Sequence, residues 1–224
     1  MIEIIATSPE AALAIQAAGG NRIELISAWS EGGLTPSYGM IKQVVNLVDT
    51  PVNVMIRPHS RSFVYSNYEL AAMKEDIVIA REMGANGVVL GTLTWDKQIC
   101  IRSLEYLLAA CQNLDITFHK AIDEVEDPVA AVALLSNYSQ ITTILTGGGT
   151  GSILDNLETI RAMSDAAGKI EIMPGGGLTG GNLGAVHAQV GASWYHLGSA
   201  VREGGMNGEI SESRIRHIKA VLGV

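Results

Sequence analysis

The sequence predicts a single α/β domain, a (β/α)8 barrel that spans residues 1–224. Eight short runs rich in β-branched residues alternate with segments of helical periodicity, which is typical of a parallel sheet with crossover helices. The chain divides into eight units of about 27 residues, a size that suits a small barrel of this class. No proline- or serine-rich linker separates the units, so one domain is expected.

The predicted strands follow one another along the whole chain. In order they are Ile2–Ala6, Arg22–Ser27, Val52–Arg57, Gly87–Gly91, Ile116–Lys120, Thr142–Thr146, Ile170–Met173 and Trp194–Gly198. Seven helical segments lie between the strands, and an eighth, Ile210–Leu222, follows the last one. A doubly wound open sheet would show the same alternation and is the alternative architecture.

Local signals mark where several helices begin. Ser8-Pro9, Thr35-Pro36 and Asp127-Pro128 each place a capping side chain before a proline, which suits the first position of a helix. Ser66 and Glu69 have the spacing of a capping box. These four signals predict helices that begin at or next to Pro9, Pro36, Asn67 and Pro128.

Glycines mark where three helices end. Gly19, Gly84 and Gly191 each stand shortly before a predicted strand, namely strands 2, 4 and 8. Glycine adopts the left-handed conformation that commonly terminates a helix. The recurrence of this device supports a repeated strand–helix unit.

Composition excludes several classes of function. The chain has 15 basic and 23 acidic residues, a net charge of −8, and no basic run, so we expect no nucleic-acid partner. Its apolar runs are too short to span a membrane, and its start lacks the pattern of a secretory signal. Cys100 and Cys111 lie on a predicted helix, roughly 16 Å apart at 1.5 Å per residue, too far to pair. We therefore expect a reducing, cytoplasmic location.

Alternation along the strands predicts a polar barrel interior. Glu3 and Glu24 face inward on this pattern, with Arg57 as the opposing charge. Glu3 lies near the start of its strand, which indicates a structural ion pair. Arg57 and His119 end their strands, where barrels of this class place their active sites. Glu24, in mid-strand, suits either role.

The stretch Thr117-Phe-His-Lys-Ala-Ile-Asp123 is the densest polar cluster. His119 suits proton transfer near neutral pH. Asp123 is expected either to orient His119 or to bind a metal. Lys120, next along the strand, is expected to face the helix layer or solvent unless the strand ends at His119.

Glycine-rich loops follow the last strands. One reads Pro174-Gly-Gly-Gly-Leu-Thr-Gly-Gly-Asn182, and His196-Leu-Gly-Ser-Ala200 follows strand 8. Backbone N–H groups of such loops approach anions closely, and barrels of this class often hold phosphate after strands 7 and 8. Gly177, Gly198 and Ser199 are the candidate anion-binding residues. Tight turns without a ligand are the alternative interpretation.

Several motifs together resemble the CutC family over essentially the whole chain. They are Arg22-Ile-Glu-Leu, Glu31-Gly-Gly-Leu-Thr-Pro-Ser37, Met55-Ile-Arg-Pro58, Thr117-Phe-His-Lys-Ala-Ile-Asp123 and Ile144-Leu-Thr-Gly-Gly148. The resemblance implies a cytoplasmic TIM barrel that forms a homodimer or a larger homo-oligomer. It also implies a role in copper homeostasis with copper as the bound ion.

The chain departs from the family pattern at two strands. Many members carry cysteine at the last position of the stretches that here read Glu3-Ile-Ile and Arg22-Ile-Glu-Leu-Ile26. Those thiols are the copper ligands that the resemblance would suggest, and they are absent here. The sequence alone therefore identifies no metal ligand set and no cofactor.

Three functions follow from these observations. The first is copper binding in copper homeostasis, as the resemblance implies. The second is an enzyme for a small phosphorylated or carboxylated metabolite, in which Arg57 binds the anion and His119 transfers a proton with Glu24 or Asp123. The third is a barrel without catalytic activity that binds other molecules as partners.

Overall fold

Eight strands of the computed structural model, which describes residues 1–224, form one parallel sheet. Strands β1 to β8 are Ile2–Ala6, Arg22–Leu25, Val52–Met55, Gly87–Leu90, Asp115–Phe118, Ile141–Thr146, Glu171–Pro174 and Tyr195–Leu197. Helices α1 to α8 are Pro9–Ala17, Tyr38–Leu47, Asn67–Glu82, Ile101–Cys111, Pro128–Leu135, Leu157–Ala166, Leu183–Val190 and Glu212–Leu222. The strict alternation confirms the predicted (β/α)8 architecture.

The sheet wraps into a barrel. Its strand order is β7-β6-β5-β4-β3-β2-β1-β8, so the first strand pairs with the last as well as with the second. β7 and β8 meet at the seam, where a Cβ built on Gly175 would lie 2.8 Å from the Cβ of His196. This proximity excludes the open doubly wound sheet, whose edge strands lie far apart.

Helix starts agree with the sequence at three of four sites. Ser8 and Asp127 cap α1 and α5, and Ser66 with Glu69 forms a complete capping box at α3. The prediction at Thr35-Pro36 is wrong, because α2 begins at Tyr38 and is capped by Ser37. The Thr35 hydroxyl instead accepts a hydrogen bond from the Arg57 backbone N–H at 2.8 Å.

Several strands end earlier than predicted. β2 ends at Leu25, β3 at Met55 and β5 at Phe118, because the parallel ladder stops where the neighbouring strand no longer offers partners. Arg57 and His119 therefore lie just beyond their strands, at the carboxyl-end mouth of the barrel. Gly19, Gly84 and Gly191 all have positive φ, as their predicted helix-ending role requires.

The apolar core lies mainly outside the barrel. A cluster of 54 buried residues packs the outward strand faces against the helices, whereas only four buried residues, Ile5, Ile26, Met55 and Val89, form an apolar layer on the inward faces. Polar groups occupy much of the remaining interior, so their partners decide its chemistry. No helix combines the length and the apolar character needed to cross a lipid bilayer.

Candidate functional site

A cavity of about 270 Å³ opens at the carboxyl ends of the strands. Its polar lining consists of Glu24, Arg57, His119, Lys120, His196 and Ser199, together with glycines of three loops. Gly32 and Gly176, which belong to the two Gly-Gly-Leu-Thr stretches of the chain, both line it. Convergent polar groups in a cavity with apolar walls are the usual form of a small-ligand site.

The base of the interior holds an ion-pair network. Glu3, fully buried, accepts hydrogen bonds from Arg22 Nε at 2.5 Å and from His196 Nδ1 at 2.8 Å. Burial alone would raise the pKa of Glu3, but the hydrogen bond from His196 and the charge of Arg22 outweigh it and lower the pKa. Glu3 is therefore an ionised, fully paired carboxylate, as its predicted structural role requires.

The arginine that pairs with the interior carboxylate of Glu3 is Arg22. The prediction that Arg57 would oppose the interior glutamates was wrong. Arg57 donates to the backbone carbonyls of Glu31, Gly33 and Ser60 and lies 4.6 Å from the centre of the Phe63 ring. The reason is the early end of β3, which leaves Arg57 above the barrel. Arg22 lies two positions before Glu24, so the same alternation could have placed it inside.

Glu24 lies above this network and is incompletely paired. Its Oε2 is 3.6 Å from His196 Nε2, and its buried Oε1 has no hydrogen-bond partner. Burial raises its pKa to about 7, against the opposing effect of His196. Burial lowers the pKa of His196, but the charges of Glu24 and Glu3 outweigh it and raise it. The two side chains therefore compete for a proton near neutral pH.

His119 presents a free nitrogen to the cavity. Its Nδ1 accepts a hydrogen bond from the Ala121 backbone N–H at 3.2 Å, and its buried Nε2 has no partner. The ring packs against Phe63 with centroids 4.8 Å apart. Burial, reinforced by the charge of Arg57, lowers the pKa of His119 to about 3. His119 is thus a neutral imidazole throughout the physiological range.

Asp123 does not contact His119. Its carboxylate accepts hydrogen bonds from Thr146 Oγ1 and from the backbone N–H groups of Gly147 and Gly149. It is absent from the lining of the cavity. The expected orienting role of Asp123 on His119 is therefore wrong, because the carboxylate turns away to hold the loop after β6.

Lys120 is exposed to solvent, one of its predicted positions, and it also lines the mouth of the cavity. β5 ends at Phe118, and a 3-10 turn over Lys120–Glu124 redirects the chain across the mouth. Its Nζ lies 3.4 Å from Asp123 Oδ2, and its side chain is 45% exposed. Alternation could not predict this orientation because it applies only within a strand.

The candidate anion-binding residues Gly177, Gly198 and Ser199 all line the same cavity. Gly177 has φ +85° with no atom within 4 Å of a built Cβ. The backbone N–H groups of the three residues have no acceptor in the protein. The structure thus brings together the predicted residues Glu24, Arg57, His119, Gly177, Gly198 and Ser199, and adds Lys120 and His196.

The interior offers one group of possible metal ligands. Ligand atoms of Glu3, Glu24 and His196 all lie within 4.8 Å of one another. Nitrogen and oxygen donors of this kind suit divalent transition ions, and among these Cu²⁺ binds most tightly. Both thiols lie on the outer helix α4, where Cys100 precedes its first turn and Cys111 ends it. The donor set therefore fits Cu²⁺ and not a thiolate site for Cu⁺.

Comparisons with known proteins agree on one family over most of the chain. The profile of the CutC family matches residues 1–201. The human copper homeostasis protein cutC homolog is 41% identical over 208 residues, which cover 92% of this chain and 76% of that protein. A Xylella fastidiosa (strain Temecula1) family protein CutC is 37% identical over 196 residues, which cover 87% of this chain and 73% of that protein.

Solved structures agree. The crystal structure of CutC from Streptococcus agalactiae matches with a TM-score of 0.82 at 35% identity, covering 88% of this chain and 97% of that one. A phosphoribosyl anthranilate isomerase from Thermococcus kodakaraensis matches with a TM-score of 0.64 at 17% identity, covering 99% and 97% of the two chains. The second likeness shows a shared barrel fold alone.

Proposed function

We propose that this chain, which belongs to the CutC family, serves copper homeostasis by binding a copper ion between Glu24 and His196. The human relative carries copper homeostasis in its name. The observation that carries the proposal is the unpaired Oε1 of Glu24, a buried carboxylate oxygen without any donor. A buried carboxylate of this kind requires a proton or a cation.

The spacing of the two side chains supports a shared ion. The 3.6 Å between Glu24 Oε2 and His196 Nε2 is too long for a hydrogen bond. Adjacent ligand atoms of one tetragonal copper ion lie about 3 Å apart, given metal–ligand distances near 2.1 Å, so a small approach of the two side chains would let them share an ion. Glu3 accepts the Nδ1 proton of His196 and so directs Nε2 toward Glu24. Carboxylates commonly orient a metal-binding imidazole in this way.

Charge gives the site a pH dependence. The pKa of both Glu24 and His196 is raised, so protons occupy the ligand atoms at slightly acidic pH. A metal ion must displace them, since ligands bind metals in their deprotonated forms. Copper affinity should therefore rise as the pH increases through 7. When bound, copper would supply Lewis acidity at the floor of the cavity.

Titration of the purified chain with Cu²⁺, followed by calorimetry, tests the proposal. We expect one ion per chain and at least a tenfold loss of affinity in Glu24→Gln and in His196→Asn. His187→Asn is the matched control. His187 lies on α7, forms a hydrogen bond with the Tyr195 hydroxyl and is absent from the cavity lining. Unchanged binding in Glu24→Gln, with loss in Cys100→Ser, would refute the site.

A second candidate function is an enzyme for a small anionic metabolite. The observation that favours it is the neutral His119, whose unpaired Nε2 shares the cavity with the cations Arg57 and Lys120. Glu24, whose pKa is raised to about 7, would transfer the proton. The neutral His119 accepts at Nδ1 from Ala121, so its Nε2 carries the hydrogen and would donate a hydrogen bond to the substrate instead of accepting a proton. A panel of phosphorylated and carboxylated metabolites assayed against His119→Asn tests it. Turnover that survives this substitution would rule the role out.

The cellular setting belongs to the same proposal. Cys100 and Cys111 are both free thiols, which supports a cytoplasmic location. Assembly into a homodimer or a larger homo-oligomer is supported by exposed aromatic side chains, with Tyr68 at 91% and Trp95 at 83% exposure. Sedimentation velocity of the wild-type chain measures the assembly directly.

A further inference from the structure

Two loops at the mouth present unused backbone donors. Gly176 and Gly177 follow β7, Gly198 and Ser199 follow β8, and all four line the cavity. None of their backbone N–H groups has an acceptor in the protein. Gly176, Gly177 and Ser199 are exposed and Gly198 is half-buried, so all four N–H groups are open to a ligand at the mouth, where consecutive backbone donors of this kind suit an anion.

A lysine lies against the first of these loops. Lys120 Nζ lies directly against Gly176, in the space that a Cβ at this position would fill, and Gly176 has a positive φ of 83°. The one carboxylate near Lys120 Nζ is that of Asp123, at 3.4 Å. Asp123 is already shared with Thr146, Gly147 and Gly149, so the ammonium keeps donors for a ligand.

The same cavity contains a further buried polar group without a partner, the imidazole of His119. His119 is 3% exposed, lines the same cavity, and its Nε2 forms no hydrogen bond. Leu145 and Leu178 add apolar surface between the polar groups. A cavity of about 270 Å³ therefore has an anion-binding rim and room for a small organic body below it.

We infer that the loops after β7 and β8, together with Lys120, bind the phosphate group of a small phosphate monoester. A phosphate offers three terminal oxygens to the four N–H groups and the ammonium, whereas a carboxylate offers two. Barrels of this class commonly hold phosphate at these loops. The inference deepens the second candidate function by naming its substrate class, and it is independent of the copper site.

Amide chemical shifts of ¹⁵N-labelled protein provide the test, with inorganic phosphate and glycerol phosphate as the two probes. We expect saturable shifts at Gly176, Gly177, Gly198 and Ser199 with both. Glycerol phosphate should bind more tightly, since its organic part reaches the apolar lining. Equal affinity for the two probes would overturn the monoester assignment in favour of free phosphate.

Substitutions at the site and a matched substitution elsewhere distinguish loss of phosphate binding from a general loss of stability. Lys120→Met should weaken binding about tenfold or more, the usual effect of losing a charged hydrogen-bond donor. Gly177→Ala should abolish binding, because φ +85° is strained for alanine. Gly191→Ala is the matched control, since Gly191 also has positive φ and open space but ends α7 outside the cavity lining.

Two outcomes would overturn the inference. One is phosphate binding that Lys120→Met and Gly177→Ala leave unchanged. The other is a set of shifts that avoids both loops. Glu24→Gln distinguishes the two sites, because it should remove copper binding and leave phosphate binding intact. In the wild-type chain, copper binding without phosphate shifts would show that the phosphate proposal has failed, and phosphate shifts without copper binding would show that the copper proposal has failed.

Discussion

The base and the mouth of the barrel contain similar side chains in opposite states. At the base, the carboxylate of Glu3 receives hydrogen bonds from Arg22 and His196. At the mouth, Glu24 Oε1, Arg57 Nε and His119 Nε2 are buried without partners. Charges that satisfy one another stabilise the fold, whereas buried groups left unpaired await a ligand. The difference makes the mouth the candidate site even though both layers are polar.

Removing Arg22 should break the base and produce the largest change in stability. Arg22→Met leaves the fully buried Glu3 without its arginine, so the free energy of unfolding should fall by about 3 kcal/mol or more. Urea unfolding at pH 7 measures it. Arg61→Met is the control, because the Arg61–Glu69 pair is exposed and should contribute under about 1 kcal/mol. Equal losses would show that the base is not a paired network.

Lowering the pH should destabilise the fold because His119, at the mouth, is buried as a neutral group without a partner for its Nε2. Its folded pKa of about 3 lies below the ordinary 6.5, so the unfolded chain binds more protons between these values and stability falls as the pH drops. From pH 7 to pH 5 the loss is about 2 kcal/mol, at 1.36 kcal/mol per unit below 6.5. His119→Asn should lack this component.

Urea midpoints of wild type and His119→Asn at pH 7 and pH 5 measure the difference. Asparagine keeps an oxygen near the position of Nδ1 that accepts from Ala121. Contributions from Glu3, Glu24 and His196 are common to both proteins and cancel. Parallel pH profiles would mean that His119 is charged or accessible to solvent in the folded state.

Substitution of Thr146, the last residue of β6, should produce the smallest change in stability. Its hydroxyl donates to the Asp123 carboxylate and accepts from the Gly148 backbone N–H at 2.8 Å. Thr146→Val should lower the free energy of unfolding by about 1.5 kcal/mol, since Asp123 keeps its backbone donors. Thr142→Val, on the exposed side of the same strand, should cost less than about 0.5 kcal/mol. Copper affinity should not change in either variant.

The sequence predicted the architecture well because its signals are local. Strand alternation, Ser8 and Asp127 before prolines, and the Ser66–Glu69 box all act within a few residues of chain. Thr35 failed as a cap because its hydroxyl bonds the Arg57 backbone, 22 positions away. A local rule gives no weight to a distant partner that competes for the same group.

Prediction of the site was less complete. Arg57 and His119 lie at the mouth, as their placement at strand ends predicted, and Gly177 and Ser199 line the same cavity, while their role in anion binding stays a prediction. The contact of Lys120 with the cavity was not predicted, because a 3-10 turn begins there and ends the alternation of β5. Partners could not be predicted, since the hydrogen bond from His196 to Glu3 spans 193 positions.

The sequence by itself determined a barrel with polar residues inside and glycine-rich loops at its carboxyl end. Only the tertiary structure decided which of these polar residues are satisfied and which remain available. Pairing depends on distances of a few tenths of an ångström, which the register of β1, β2 and β8 sets. Hydrophobic periodicity carries no information at that scale, so the sequence could leave the role of Glu24 open but only the fold shows that Glu3 is paired and Glu24 Oε1 is not.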